Sequence, residues 1–374
     1  DIGPTIRANA PIDGMGATLA DFDQDGDWDM FQTNNPNGHV LFVWDQTIAR
    51  FNIPNGNWFF EANLRGVQSA ATGWGAGFAD YDCDGDDDLL VMMAPSQSHL
   101  FRNDPGFSFT DVTLAQAIPT CAPGGYSFAW VDYDDDGDLD LWDSGLITSG
   151  QLGQNQASGN NWLKIRLIGT SSNRDALGAM VLARSASRSQ RRLVTSGEGY
   201  LSDGDKRVHF GLGMDTSVDQ LEIRWPSGTI QILESVAANQ TLTVTEPRFT
   251  GPSAGLTLGT THPILFDVPD DVGTFYYCGF TLDPFAHTTL ADGRIVRLAP
   301  LDPAFVYSTT LGNPMLFPFV GVLPSGGVTL QLVLPAGVLP PALTIPIYFL
   351  GFTIDAGFPG SIKSIVGPHP FLIS

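Results

Sequence analysis

A nine-residue acidic pattern occurs three times in this chain, and any fold it adopts must present all three copies. They are Asp21-Phe-Asp-Gln-Asp-Gly-Asp-Trp-Asp29, Asp80-Tyr-Asp-Cys-Asp-Gly-Asp-Asp-Asp88 and Asp132-Tyr-Asp-Asp-Asp-Gly-Asp-Leu-Asp140. Each has carboxylates at alternate positions, an aromatic at position 2, a glycine at position 6 and an aspartate at position 9. Five or six carboxylates in nine residues repel one another unless a cation sits among them. A loop of this kind wraps a hard cation in oxygen. Calcium accepts six to eight oxygens at roughly 2.3–2.6 Å in forgiving geometry and suits it better than magnesium. The pattern therefore predicts about three Ca2+ ions.

The nine residues match the start of an EF-hand loop, but its glutamate at position 12 is missing. Gln32, Val91 and Asp143 stand there instead. The flanks are short and apolar, as in Ser127-Phe-Ala-Trp-Val-Asp132 and Leu139-Asp-Leu-Trp142, and read as strands. With 42 glycines, 26 prolines and many Thr/Val/Ile/Phe clusters, the chain is expected to be all-β. Its 374 residues suffice for three domains: 1–155 with the acidic repeats, 156–248, and 249–374.

The net charge of −22 is concentrated in the repeats. Residues 1–155 carry 24 acids and 4 bases, residues 156–248 carry 9 and 11, and residues 249–374 carry 7 and 3. The three loops alone hold 17 of the 40 acids. Nucleic acid, which needs a basic face, is excluded as a partner. No apolar run is long enough for a transmembrane segment. The chain starts at Asp1 without a signal-like segment, which suggests a secreted protein whose export signal has been removed. Millimolar extracellular calcium would fill even weak loops. Of three cysteines, Cys83 and Cys121 are placed for a disulfide that leaves Cys278 buried and unpaired; three separate buried thiols is the alternative.

The loops begin 59 and 52 residues apart, a spacing that suits propeller blades or solenoid units. Each follows a glycine-rich lead: Gly14-Met-Gly16, Gly73-Trp-Gly-Ala-Gly77 and Gly124-Gly125. Residues 75–88 and 127–140 resemble FG-GAP/VCBS repeats, the calcium-loop blades of integrin-α-type propellers. The resemblance implies ligands at the alternate aspartates and at position 9, with a backbone carbonyl at position 7. It assigns Asp21, Asp23, Asp25, Asp27 and Asp29; Asp80, Asp82, Asp84, Asp86 and Asp88; and Asp132, Asp134, Asp136, Asp138 and Asp140. Such propellers close with about seven blades, and three cannot close a ring. Two blade edges are left for later parts of the chain, or for other subunits, to cover.

In the second domain, Trp162-Leu-Lys-Ile-Arg-Leu-Ile168 alternates Leu163, Ile165 and Leu167 inward with Lys164 and Arg166 outward. Asn161-Trp-Leu163, Ser172-Asn-Arg-Asp-Ala-Leu-Gly-Ala179, Gly197-Glu-Gly-Tyr-Leu-Ser202, His209-Phe-Gly-Leu-Gly213 and Arg224-Trp-Pro-Ser-Gly228 resemble the ASPIC/UnbV domain. That domain follows FG-GAP repeats in cartilage acidic protein and in many bacterial secreted proteins. The resemblance implies a small β-sandwich, an extracellular setting and no catalytic residue. Arg174, Arg191, Arg192, Lys206 and Arg207 form either a basic face toward the acidic repeats or an anionic glycan, or ordinary solvated strand faces. Beyond the linker at 246–255, a second β-sandwich is expected. Only 10 of its 126 residues are charged, so it is expected to bury surface against a partner or another copy.

The six histidines show no paired spacing, and no nucleophile elbow, phosphate loop or Cys-His pairing occurs. His209, between apolar neighbours, reads as a packed strand residue. Calcium would hold the loop aspartates ionised, which suits neither a general acid nor a free nucleophile. The sequence thus points away from an enzyme and toward a secreted, calcium-binding structural or adhesive protein that self-associates into a filament or surface layer. The rivals are a monomeric adhesin or glycan-binding module and, less favoured, a secreted hydrolase.

Overall fold

The computed structural model describes residues 12–35, 38–47, 49–52, 57, 59–115, 125–145, 150–156, 159–251, 261–271, 274–281, 288–289, 295–296, 316–317, 320–333, 345–354 and 362–373. Among them, helix is confined to α1 (Phe60–Leu64) and a 3-10 turn at Pro269–Asp271, so the protein is nearly all β. No helix among the described residues is long and apolar enough to cross a membrane. The chain divides into two units. Unit 1 comprises Asp1–Arg166, Leu182–Val218 and Ala237–Leu242; unit 2 comprises Leu167–Val181, Asp219–Val236 and Thr243–Ser374.

Unit 1 opens with three small antiparallel sheets of one design. The first is β1 (Gly14–Ala20), β2 (Asp29–Asn34) and β3 (Val40–Phe42), followed by a short hairpin, β4 (Trp44–Asp45) and β5 (Arg50–Phe51). The second is β6 (Gly73–Ala79), β7 (Asp88–Met93), β8 (His99–Asp104) and β9 (Ser108–Asp111). The third is β10 (Gly125–Val131), β11 (Asp140–Gly145) and β12 (Gln151–Gly153). In each, the acidic nonapeptide closes the first hairpin at the same register, pairing Ala20 with Asp29, Ala79 with Asp88 and Val131 with Asp140. Each first strand has a register shift at its glycine-rich start, between Gly14 and Ala17, Gly73 and Ala76, and Gly125 and Ser127. The extra residue increases local twist, and the glycines allow close approach of neighbouring strands: a Cβ on Gly16 would lie 2.5 Å from Trp74 O and one on Gly77 2.4 Å from the Phe128 ring.

The sheets pack face to face like neighbouring propeller blades. Phe22, Phe31 and Leu41 of the first meet Ala76, Leu89, Val91, Phe101 and Phe109 of the second. Leu90, Met92 and Leu100, from the opposite face of the second, meet Phe128, Trp130, Leu139 and Leu141 of the third. With both faces covered, all six residues of β7 are buried. Each fully buried Phe or Leu contributes about 1.5–3 kcal/mol. Later chain meets β10 of the third blade and β6 of the second. Asp205 N–H donates to Trp130 O at 3.5 Å, and Tyr200 packs on Trp74 with ring centroids 5.2 Å apart.

Seven further strands follow: β13 (Asn161–Ile168), β14 (Met180–Ser185), β15 (Ser189–Leu193), β16 (Val208–Gly213), β17 (Ser217–Arg224), β18 (Ile230–Ala237) and β19 (Gln240–Thr245). The boundary between the units falls inside β13, β14, β17, β18 and β19. β13 lies between β16 and β19, and Leu163, Ile165 and Leu167 are buried as its alternation predicts. Lys164 departs from the expectation. It is 1 % exposed, because the face of β13 read as solvated lies against the third acidic loop. Arg166 is exposed as expected.

Unit 2 continues with β20 (Arg248–Thr250), β21 (Thr261–Asp267), β22 (Phe275–Thr281), β23 (Thr288–Thr289), β24 (Ile295–Val296), β25 (Leu316–Phe317), β26 (Val320–Val322), β27 (Val328–Val333), β28 (Ile345–Ile354) and β29 (Ile362–Ile373). One sheet runs β20-β21-β27-β25; in a second, β18, β29, β28, β22 and β26 are consecutive. Phe249 stacks on Phe266 at 4.7 Å, and Phe266 lies 6.1 Å from Tyr276 of the other sheet, as in a sandwich.

A single carboxylate organises one end of unit 2. Glu246 is fully buried and accepts the N–H groups of Thr170, Ser171 and Ser172 at 2.7–2.8 Å. It also accepts the hydroxyls of Ser172 and Ser227 at 2.8 and 2.6 Å. Burial alone would raise its pKa. The donors, led by Ser172 N–H, outweigh that and hold it below the usual glutamate range. Because the folded pKa is depressed, this contribution is present above the unfolded value and lost as pH falls through the folded one. Glu246→Ala leaves these donors unsatisfied and is expected to cost about 3–5 kcal/mol, read as a shift in denaturant midpoint. A cost under about 1 kcal/mol would show that the donors find other partners.

Candidate metal centre

The three loops share one backbone conformation. Position 4, occupied by Gln24, Cys83 and Asp135, is left-handed with φ of 55°, 57° and 58°. The position-6 glycines, Gly26, Gly85 and Gly137, have φ of 101°, 99° and 107°, a region side chains rarely enter. That bend aims each position-6 N–H at the first aspartate. Gly26 donates to Asp21 Oδ1 at 3.2 Å, Gly85 to Asp80 Oδ2 at 2.9 Å and Gly137 to Asp132 Oδ2 at 3.0 Å.

Three groups of carboxylates converge, each with one oxygen per residue within 4.8 Å of the others. They are Asp21, Asp23 and Asp25; Asp80, Asp82 and Asp88; and Asp132, Asp134 and Asp136. The position-9 aspartates also tie in the chain at or just beyond the third strand of each blade. Asp29, Asp88 and Asp140 accept the N–H groups of Trp44, Asn103 and Asn155 at 2.8–2.9 Å. Asp88 and Asp140 use their second oxygens for Tyr81 and Tyr133 N–H. Asp27 and Asp86, at position 7, are half-buried, and Asp138 is buried.

The donor set fits a hard cation. Buried oxygens of Asp23, Asp27 and Asp29, of Asp80 and Asp86, and of Asp132 have no hydrogen-bond partner. A lone pair left this way is costly unless an ion or water meets it. Burial and neighbouring carboxylates raise the acids accordingly. Burial pushes Asp29 up to about 8, with the charge of Asp23 adding to it. Asp21 and Asp82 rise to about 6, also chiefly through burial, and buried Asp80 and Asp88 rise well above the usual range. Calcium bound here would supply the missing positive charge, while the chain's own groups fix the position of each oxygen.

The loops are stitched to one another and to later strands of unit 1. Gln24 of the first donates to Gly85 O of the second at 2.8 Å. Asn103 reaches back to Phe22 O at 3.0 Å, and Asn155 to Tyr81 O at 2.6 Å. Each loop also meets cations. Arg191 pairs with Asp21 at 3.0 Å and Arg192 with Asp87 at 2.8 Å. Lys164 bonds both Asp132 and Asp135, and Arg207 meets Asp135 at 2.7 Å. Of the basic residues singled out in the sequence, Arg191, Arg192 and Arg207 thus face the acidic repeats, and Lys206 pairs with Asp203 at 2.9 Å. Sequence reasoning missed Lys164, whose strand alternation pointed it to solvent.

Cys83 is a buried free thiol; Cys121, its expected disulfide partner, lies outside the described residues. Cys278 is likewise buried and free. Cys83 Sγ lies 3.8 Å from His209 Nε2, a Cys-His contact invisible in the sequence. It is not an activated pair. Burial and the surrounding aspartates push the thiol far above its usual pKa. Burial lowers His209 to about 4, and its Nε2 is 2.9 Å from Gly137 O. A neutral imidazole beside a protonated thiol gives no nucleophile.

Comparison with known proteins agrees with this arrangement. Residues 80–142 match the FG-GAP-like repeat family, and residues 169–250 match the ASPIC and UnbV family. Cartilage acidic protein 1 of Xenopus tropicalis is 30% identical over 241 residues, covering 58% of this chain and 34% of that protein. Its Homo sapiens counterpart is 28% identical over 258 residues, covering 62% of this chain and 36% of that protein. The chain therefore spans about a third of the length of these curated relatives. It carries an FG-GAP-like repeat region followed by an ASPIC/UnbV region, in the order its motifs suggest.

Proposed function

We propose that this chain is a secreted, calcium-stabilised structural or adhesive protein of the extracellular space, and that it associates with further copies of itself. The observation that carries the calcium reading is the repetition of one loop geometry three times, each with buried carboxylate oxygens that no hydrogen bond satisfies. In that role calcium is mechanical: it offsets carboxylate repulsion and ties hairpin ends together, so binding free energy becomes folding free energy. The similarity to cartilage acidic protein 1 supports the extracellular setting.

Self-association rests on the charge-poor sequence from 249 onward, with 10 charged residues in 126. The acidic loops and Arg191, Arg192 and Arg207 satisfy one another within unit 1, so their complementarity is not what draws copies together. Light scattering after size separation tests this, in millimolar calcium and again after chelation. Large particles in calcium that dissolve on chelation are the expected result. A monomer under both conditions would leave a monomeric adhesin or glycan-binding module as the better reading.

A further inference from the structure

The three loops differ in how the protein itself brings positive charge to them. At the first, Arg191 pairs with Asp21 from a side chain 22% exposed. At the second, Arg192 pairs with Asp87, at position 8, outside the converging carboxylates. At the third, the Lys164 ammonium, 1% exposed, bonds directly to Asp132, the position-1 carboxylate. It also meets Asp135 at 3.1 Å. Arg207 backs it, bonding Asp135 at 2.7 Å and donating to Asp132 O at 3.1 Å. The second loop also has the Arg188 guanidinium against Gly85, so the number of cations does not set the third loop apart; a cation on its position-1 carboxylate that is buried and shielded from solvent does.

Resting on the calcium reading above, we propose that Lys164, supported by Arg207, is an internal cation for the third loop that sets its calcium affinity below that of the other two. Asp132 keeps its second oxygen, buried and unpartnered, for an ion. A dication entering there meets a fixed ammonium on the same carboxylate, and in a water-poor site that repulsion is weakly screened. The same ammonium offsets the loop's repulsion when no metal is bound, so this loop holds its shape across calcium concentrations that empty it. A cavity of about 390 Å³ lined in part by Asp136, Asp138, Asn160 and Trp162 adjoins the loop.

Lysine to methionine keeps the aliphatic stem and removes the charge, so the test is Lys164→Met, with Arg207→Gln as a milder variant at a more exposed site. Calcium titration calorimetry on the full chain is paired with thermal unfolding in chelator. Wild type is expected to show two tighter sites and one weaker by about tenfold or more. Lys164→Met should tighten the weak site about tenfold while lowering the melting temperature in chelator more than in calcium. Arg207→Gln should move both readouts the same way by a smaller factor. Unchanged or weakened calcium binding in both variants, with equal loss of stability with and without calcium, would overturn the proposal and make Lys164 a purely structural residue. Failure of wild type to bind calcium at any loop would overturn the calcium reading itself.

Discussion

In the presence of a chelator the protein is expected to lose stability as the pH rises from about 5 to 8, and calcium should reverse the slope. Asp21 and Asp82 titrate at about 6 in the folded chain and Asp29 at about 8, against 3.8 for an unperturbed aspartate. A folded state with raised carboxylate pKa values binds more protons than the unfolded state. Across this range the loops' contribution to metal-free stability is therefore greatest at the acid end and is lost as pH climbs through the folded values. A tenfold gain in a carboxylate's proton affinity is worth about 1.4 kcal/mol. Against the roughly 5–15 kcal/mol that holds a domain folded, even part of such a gain is readily measured. Calcium binds only the ionised form, so in its presence acid strips the metal and stability rises with pH. Thermal unfolding in chelator and in millimolar calcium across this range should show slopes of opposite sign, with calcium raising the midpoint at pH 8 by on the order of 10 °C or more. Parallel slopes would mean that the loops hold no metal.

The second large effect is expected from Gly211→Ala, far from the acidic loops in sequence. A Cβ on Gly211 would lie 2.0 Å from Asp80 Oδ2 and 2.5 Å from the backbone of Cys83. β16 can approach the second loop this closely only because that residue has no side chain. The next glycine, Gly213, uses the approach to donate its N–H to Cys83 O at 2.9 Å. An alanine must push a rigid strand off a rigid loop, at a cost of about 3 kcal/mol or more. The variant should also bind less calcium, because Asp80 is displaced. Full calcium stoichiometry at wild-type stability would mean that β16 does not support the second loop.

The loops were legible in the sequence because their chemistry is local: the carboxylates, the bend and the flanking strands all lie within about fifteen residues. The propeller-like blades followed from the repeat and the strand-loop-strand order from the apolar flanks, whereas the shared register at Asp29, Asp88 and Asp140 is visible only in the structure. What surrounds the loops was less legible. Lys164 reaches Asp132 across 32 residues, and strand alternation gave the opposite orientation, because it assumes that one face of a strand meets water. The basic residues near 191 and 207 left three readings open, and only their distances to Asp21, Asp87 and Asp135 select one. The Cys83–His209 contact joins positions 126 apart, beyond any motif. The return of residues near 200–205 against β10 and β6 is likewise something that no local pattern encodes.

The most direct test of calcium as the organiser of the repeats is a calorimetric titration of the metal-stripped full chain and of three variants: Asp21→Asn, Asp80→Asn and Asp132→Asn. About three ions should bind per wild-type chain and one fewer in each variant, with a lower melting temperature in calcium for all three. Wild type that binds no calcium, or variants that keep its full complement, would show that these loops are not built around the metal.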